Sequence, residues 1–267
     1  MSAQKLRTSV SDGVCTITLD DPPANTYSYE MMQQIDAAVL EARMDPEVHV
    51  LVFRGAGEKF FCAGANIGML KEADPDFKYY FCLHANETLN RLEQTPKLVI
   101  AALNGHTVGG GLEVAMAADI RIARQGAGKI GMPEVSLGVL PGTGGTQRFA
   151  RLVGKAKAIE MMATGSLFSF EDAGAMGLVN HVWGDADLNG RSFAQAVHDY
   201  AMQFTPPNKA AKAVGHIKRA VQSGLESGFS EGLALERELQ QRLFESDDAK
   251  EGLKANLEKR KPDFSGR

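Results

Sequence analysis

The stretch "KLVIAALNGHTVGGGLEVAMAADIRIAR", residues 97–124, decides the fold. It opens on a short apolar run bounded by a turn signal, the pattern of a strand buried on both faces. It closes on a second strand pattern, "DIRIAR" at 119–124. Between them a short helix is expected to begin near Gly110. Strand, helix and strand in so few residues point to an α/β layout with parallel strands. The middle raises a chemical question. Three glycines, Gly109 to Gly111, run into the carboxylate Glu113, whose neighbours Leu112, Val114, Ala115 and Met116 are apolar. The run reads as a phosphate cradle, as a packing compromise or as the centre of an active site.

The same alternation extends toward the N-terminus. Residues 5–10 and 14–20 read as a hairpin turned at Ser11-Asp12-Gly13. Met32, Ile35, Val39 and Ala42 mark a helix over 28–43, stopped before Pro46. "VHVLVFRG" (48–55) is another buried strand, and a helix carrying Leu83, Leu89 and Leu92 spans roughly 77–95. After about residue 185 only helical patterns occur, at 190–204, 207–223, 230–246 and 247–260. The expected organisation is an α/β core over 1–188 and a helical C-terminal region over 189–267. Leu233, Leu235, Leu239 and Leu243 form a stripe that must pack on the core or on another subunit.

Composition narrows the function classes. The chain has 267 residues, 44% hydrophobic and 23% charged, with a net charge of −4, as expected of a soluble globular protein. There is no basic excess to recruit nucleic acid or an anionic membrane. No apolar run is long enough to span a bilayer. Three cysteines without motif spacing, Cys15, Cys62 and Cys82, suggest a reducing compartment rather than a disulfide framework. The N-terminus lacks the apolar core of a secretory signal, and a cytoplasmic location is expected.

Several motif matches fail in context. "GAGKIG" (126–131) fits G-x-G-x-x-G, but Met132-Pro133 follows where a helix should open, and Arg151 stands where the ribose-binding acid is needed. It reads as a turn between strands. "GFSEG" (228–232) resembles a nucleophile elbow but follows a helix, so Ser230 reads as a helix N-cap. The six histidines are scattered, and no metal site is expected.

Three stretches remain: "EKFFCAGANIGML" (58–70), "NGHTVGGGLE" (104–113) and "GKIGMPEVSLGVLPGTGGTQRF" (128–149). The first two follow the strands at 48–54 and 97–103, at the carboxyl ends where α/β sheets bind ligands. Small residues there let a ligand approach backbone N–H groups. The N–H groups of Ala65 and Gly110, one from each loop, are candidates for an oxyanion hole, with helix-dipole support at Gly110. Glu113 lies nearly one helical turn beyond Gly110. It is either an acid–base group, a solvated face, or one half of a salt bridge to Arg121 or Arg148. Glu134 follows Pro133 and is either a second acid–base group or an ordinary loop acid. Two carboxyls beside one oxyanion hole suit proton transfer next to a carbonyl: one activates water, and the other handles the α-proton.

In this order, A-G-A-N-I, N-G-H-T-V-G-G-G-L-E and P-E-V-S-L-G-V-L-P-G-T-G-G-T-Q-R resemble the crotonase superfamily, the enoyl-CoA hydratase/isomerase family. The likeness extends to "DDPPANTYS" (20–28) and "EGLKANLEKRKPDF" (251–264). The resemblance implies a spiral of ββα turns and a C-terminal helical region that builds trimers, commonly stacked as hexamers. It implies an acyl-CoA thioester substrate whose oxygen sits between the Ala65 and Gly110 N–H groups. Coenzyme A then belongs to the substrate, and no separate cofactor is expected. Both family glutamate positions are filled, by Glu113 and Glu134, which favours syn addition of water to a 2-enoyl-CoA. Double-bond isomerisation, a biosynthetic dehydration and non-catalytic acyl-CoA binding are the alternatives.

The resemblance also implies CoA contacts at Ala24, Asn25, Ala63, Asn66, Ile67 and Gly68, while Lys259 and Lys261 read either as phosphate partners reaching in from a neighbouring subunit or as a solvated basic tail. Here Asn66 and Gly68 replace the family's frequent acid and lysine, so these contacts are expected through backbone. His106 reads as packing and Cys62 as a small buried residue rather than a nucleophile. Segment 68–95, with Phe77, Tyr79, Tyr80 and Phe81, is expected to form a pocket wall or lid.

Overall fold

The computed structural model describes residues 3–267. The chain begins with the hairpin of β1 (Leu6–Ser11) and β2 (Val14–Leu19), then α1 (Tyr29–Met44), β3 (Val50–Gly55), β4 (Phe60–Cys62), α2 (Ile67–Glu72) and α3 (Pro75–Glu93). Next come β5 (Leu98–Leu103), β6 (His106–Val108), α4 (Gly110–Met116), β7 (Ile120–Arg124), β8 (Lys129–Gly131) and a 3-10 turn at Glu134–Leu137. They are followed by α5 (Gly145–Val153), α6 (Lys155–Thr164), β9 (Leu167–Ser169), α7 (Phe170–Ala175), β10 (His181–Trp183) and α8 (Asp185–Leu188). The last helices are α9 (Phe193–Met202), α10 (Ala211–Leu225), α11 (Phe229–Phe244) and α12 (Asp247–Leu257).

Two sheets result. The larger runs β1-β2-β3-β5-β7-β10, and the smaller runs β4-β6-β8-β9. Apart from the β1/β2 and β8/β9 pairs, neighbouring strands are parallel. Successive turns of the chain place one strand in each sheet: β3 then β4, β5 then β6, β7 then β8. This is the ββα spiral expected from the motifs.

The long strands read as unbroken apolar runs because both of their faces are covered. Leu51, Phe53, Val99, Ala101 and Leu103 join the larger core cluster with α1 and α3. The alternate residues Val50, Val52, Leu98, Ile100 and Ala102 face Val197 and Ala201 of α9. That second layer lies across the expected boundary at 188, because the outer face of the sheet needs a helical cover. Of the helices beyond it, α10 still reaches the sheet through Val214 and through Lys218, which pairs with Asp119. In the leucine stripe of α11 only Leu239 is buried, and Leu233 is exposed.

Helix starts are set by local chemistry. Ser28, Asp74, Ser192 and Ser246 each accept a backbone N–H of the helix they cap. α4 has no side-chain cap, and all seven of its residues are buried. It packs so closely on the end of β4 that a Cβ on Gly111 would overlap the Cys62 carbonyl oxygen. Backbone cannot yield there as a flexible side chain can. Gly111→Ala is expected to cost about 3 kcal/mol or more in urea unfolding. Wild-type stability in that variant would rule out this packing of α4.

Candidate active site

The three stretches singled out in the sequence are delivered by the smaller sheet. Ala63 to Ala65 follow β4, Gly109 and Gly110 follow β6, and Pro133 and Glu134 follow β8. These strands are parallel, so their carboxyl ends meet along one edge. This corrects the expectation that β3 and β5 carry the loops directly. β4 and β6 intervene, and at three residues each they are too short for a periodic signal.

The loops touch. A Cβ on Gly64 would lie 3.0 Å from the Gly110 nitrogen. The first loop is pinned by backbone pairing with Tyr27, whose N–H donates to Gly64 O (3.0 Å) and whose carbonyl accepts from Asn66 N (2.9 Å). Ala65 lies between these bonds, and its N–H meets no protein acceptor among the described residues; nor does that of Gly110. Two free donors on touching loops, one opening a helix, are the components of an oxyanion hole.

Glu113 is 2% exposed. Its Oε1 accepts from Thr143 N (2.8 Å) and Gly145 N (2.7 Å), and its Oε2 accepts from the Thr143 hydroxyl. Neither Arg121 nor Arg148 pairs with it. Arg121 donates to the Leu178 and Ala118 carbonyls, and Arg148 forms an ion pair with Glu93. Arg148 also donates to Thr143 O (3.2 Å), bracing the loop that solvates Glu113. Burial raises the Glu113 carboxyl above its ordinary range, while the donations from Thr143 and Gly145 pull against that shift.

Glu134 has the opposite environment. Its Oε2 is buried without a hydrogen-bond partner. Its Oε1 faces Gly109, where a Cβ would stand 2.8 Å away. Gly109 has φ +56°, a backbone conformation that strains any other residue, and a side chain there would also push the Glu134 carboxyl aside. Burial, with the Glu113 charge adding to it, pushes the Glu134 carboxyl up to about 7. The two carboxyls thus differ in surroundings: Glu113 receives three donors, and Glu134 Oε2 receives none.

Other sequence candidates sort by what they touch. Ala24 accepts a backbone bond from Ala63 (3.1 Å), so both belong to the same pinned loop pair. The Asn25 side chain turns inward: the residue is 3% exposed and donates to the Ala56 and Phe60 carbonyls. Its short amide satisfies the turn from within. Asn66 caps α2 by accepting from Met69 N (2.9 Å), leaving Ile67 and Gly68 exposed on the rim. Lys259 and Lys261 are exposed in the C-terminal tail and touch none of these groups within the chain. His106 packs on Phe60 and accepts from Lys129 N. Cys62 is buried and its thiol is pushed up to about 12, which disfavours a nucleophilic thiolate.

In segment 68–95, Phe81 is buried against Tyr27 and stacks on Phe77, while Tyr79 and Tyr80 are exposed. The sequence reading did not single out Tyr27 and Thr143. Both lie inside quoted motifs, but single residues without periodicity carry no sign of facing a buried carboxylate.

Glu134 makes stability pH-dependent. The folded chain binds its proton more tightly than the unfolded chain, so that contribution is complete below about pH 4.5 and is lost as the pH rises through about 7. Glu134→Gln cannot ionise. It is expected to match wild type in urea unfolding at pH 5 and to exceed it at pH 8 by on the order of 1–2 kcal/mol, allowing for partial exposure. Equal stability at both pH values would contradict the shift.

Comparison with known proteins agrees along the whole chain. The family model for enoyl-CoA hydratase/isomerase matches residues 9–267. The short-chain-enoyl-CoA hydratase of Clostridium acetobutylicum is 36% identical over 249 residues, 93% of this chain and 92% of that protein. An enoyl-CoA isomerase/hydratase of Mycosarcoma maydis is 34% identical, covering 96% and 93%. Among solved structures, an enoyl-CoA hydratase of Geobacillus kaustophilus superposes with a TM-score of 0.94 at 44% identity, covering 100% and 98%. One from Bacillus anthracis gives 0.90 at 30% identity, covering 99% and 100%. With touching loops that carry two free N–H groups, two carboxyls in unlike surroundings and this likeness over its full length, the chain belongs to the enoyl-CoA hydratase/isomerase family.

Proposed function

We propose that the protein is an enoyl-CoA hydratase that adds water syn across the double bond of a 2-enoyl-CoA thioester. The observation that carries this reading is the contrast between two carboxyls near the free N–H pair, Glu113 with three donors and Glu134 with none at Oε2. The thioester oxygen accepts from Ala65 N–H and Gly110 N–H, so charge developing on it meets donors already in place. Glu113, as carboxylate, takes a proton from water as the water oxygen bonds to the β-carbon. The π electrons of the double bond move toward the thioester, giving an enolate. Glu134, as acid, donates its proton to the α-carbon, and the double-bonded enolate returns to a thioester. Proton exchange with water restores both carboxyls. Both act from one side of the substrate, which makes the addition syn.

The CoA moiety in this reading lies along the Ala63–Gly68 loop and Ala24, held through backbone, with Lys259 and Lys261 of a neighbouring subunit at its phosphates. Homotrimers, or hexamers made from them, fit the large apolar side chains that α10 to α12 leave exposed, among them Ile217, Leu225, Phe229 and Leu257. The helical region over 189–267 serves that assembly. A cytoplasmic location fits three free cysteines. Among the described residues no helix is long and apolar enough to cross a membrane.

Glu113→Gln and Glu134→Gln are each expected to lower hydration of crotonyl-CoA by at least about 10²–10⁴-fold, read by loss of the enoyl thioester absorbance. Near-normal turnover in either variant would overturn the two-acid reading. A second reaction, double-bond isomerisation, is favoured by the Mycosarcoma relative, whose name carries both activities. Incubation in ¹⁸O-water separates them, because hydration places solvent oxygen on the β-carbon and isomerisation does not.

A further inference from the structure

Tyr27 is a phenol buried to 2% exposure, packed on Phe81 and hydrogen-bonded through its hydroxyl to Thr143 Oγ1 at 3.2 Å. Thr143 is itself 3% exposed and gives its own hydroxyl proton to Glu113 Oε2. A hydroxyl has one proton to donate. With that of Thr143 committed to the carboxylate, Thr143 Oγ1 is the acceptor of the Tyr27 bond. The chain therefore runs one way: Tyr27 O–H to Thr143 O–H to Glu113. Each donor in such a chain polarises the next.

We propose that Tyr27 is a positioning residue for Glu113, which acts through the Thr143 hydroxyl to hold that carboxylate ionised and aimed. The proposal rests on the reading of Glu113 as the water-activating base. Three observations converge on Tyr27. Its backbone pins the loop that carries Ala65. Its hydroxyl lies where a Cβ on Gly110 would overlap it, against the second oxyanion-hole candidate. Through Thr143 it reaches Glu113. A buried hydroxyl with nothing to bond would be costly, and phenylalanine would fill the same space without that cost. The phenol remains a donor because burial first, and then the Glu113 charge, raise its ionisation well above the ordinary tyrosine range.

The other titratable groups around Glu113 leave this relay distinct. Arg148 of α5 is neutralised by Glu93 of α3. Cys62 of β4 and Cys82 of α3 are thiols raised by burial and so uncharged. Glu134 adds negative charge only when it ionises near 7.

The test is the pH dependence of kcat/KM for crotonyl-CoA in Tyr27→Phe, Thr143→Val and the double variant. Tyr27→Phe keeps the ring. It is expected to move the acid limb upward by roughly 0.5–1 pH unit, a loss of about 3–10-fold below that limb. Thr143→Val should shift the limb further, and adding Tyr27→Phe to it should change nothing more. An unmoved limb in Tyr27→Phe would overturn the relay, as would an undiminished Tyr27→Phe effect in the Thr143→Val background.

A second readout is independent of turnover. The ¹³C-carboxyl resonance of Glu113, assigned by its loss in Glu113→Gln, should titrate at higher pH in Tyr27→Phe. The same midpoint as wild type refutes the relay even where kinetics are weak. Persistent hydration by Glu113→Gln would instead sink the base assignment on which the proposal rests.

Discussion

A carboxylate that is nearly solvent-free must receive from the protein the donors that water would have supplied. Around Glu113 that requirement organises much of the architecture. Two backbone N–H groups and one hydroxyl come from Thr143 to Gly145, which must lie against the first turn of α4. That short loop is held in turn by Arg148, anchored on Glu93 of α3, and by Asn86, which donates to the Gly142 carbonyl. α4 can come this close only because glycine stands where it meets the end of β4. The site is thus a by-product of packing three backbone segments without side chains between them.

The second constraint is asymmetry. The two glutamates are alike in chemistry, and environment alone sets them apart. Glu113 is surrounded by donors. Glu134 meets none at Oε2 and sits within the field of its partner.

Much of this was legible in the chain. The runs over 48–55 and 97–105 identify strands because covering both sheet faces leaves no polar alternation to obscure them. The glycines beside Glu113 mark a close backbone approach, and the spacing from Gly110 to Glu113 puts donor and carboxylate on the same short helix. Less legible were β4 and β6, which are three residues long and follow turns, so that no period can develop. The resemblance implies a backbone contact at Asn25 and says nothing of its side chain. That side chain supports the loop from inside. The layer formed by α9 was also hidden, since a helical pattern does not say which sheet face it covers.

By itself the sequence determined the alternation of strands and helices, the small residues at strand ends and the identity of both carboxyls, because these follow from local periodicity and residue chemistry. Tertiary structure alone decided which loops touch, which glutamate receives donors and which is left bare, and that Tyr27 and Thr143 stand in line with Glu113. The physical reason is distance along the chain. Thr143 lies 116 residues from Tyr27 and 30 from Glu113, and hydrogen bonds over such separations exist only once two sheets have wound the chain into register.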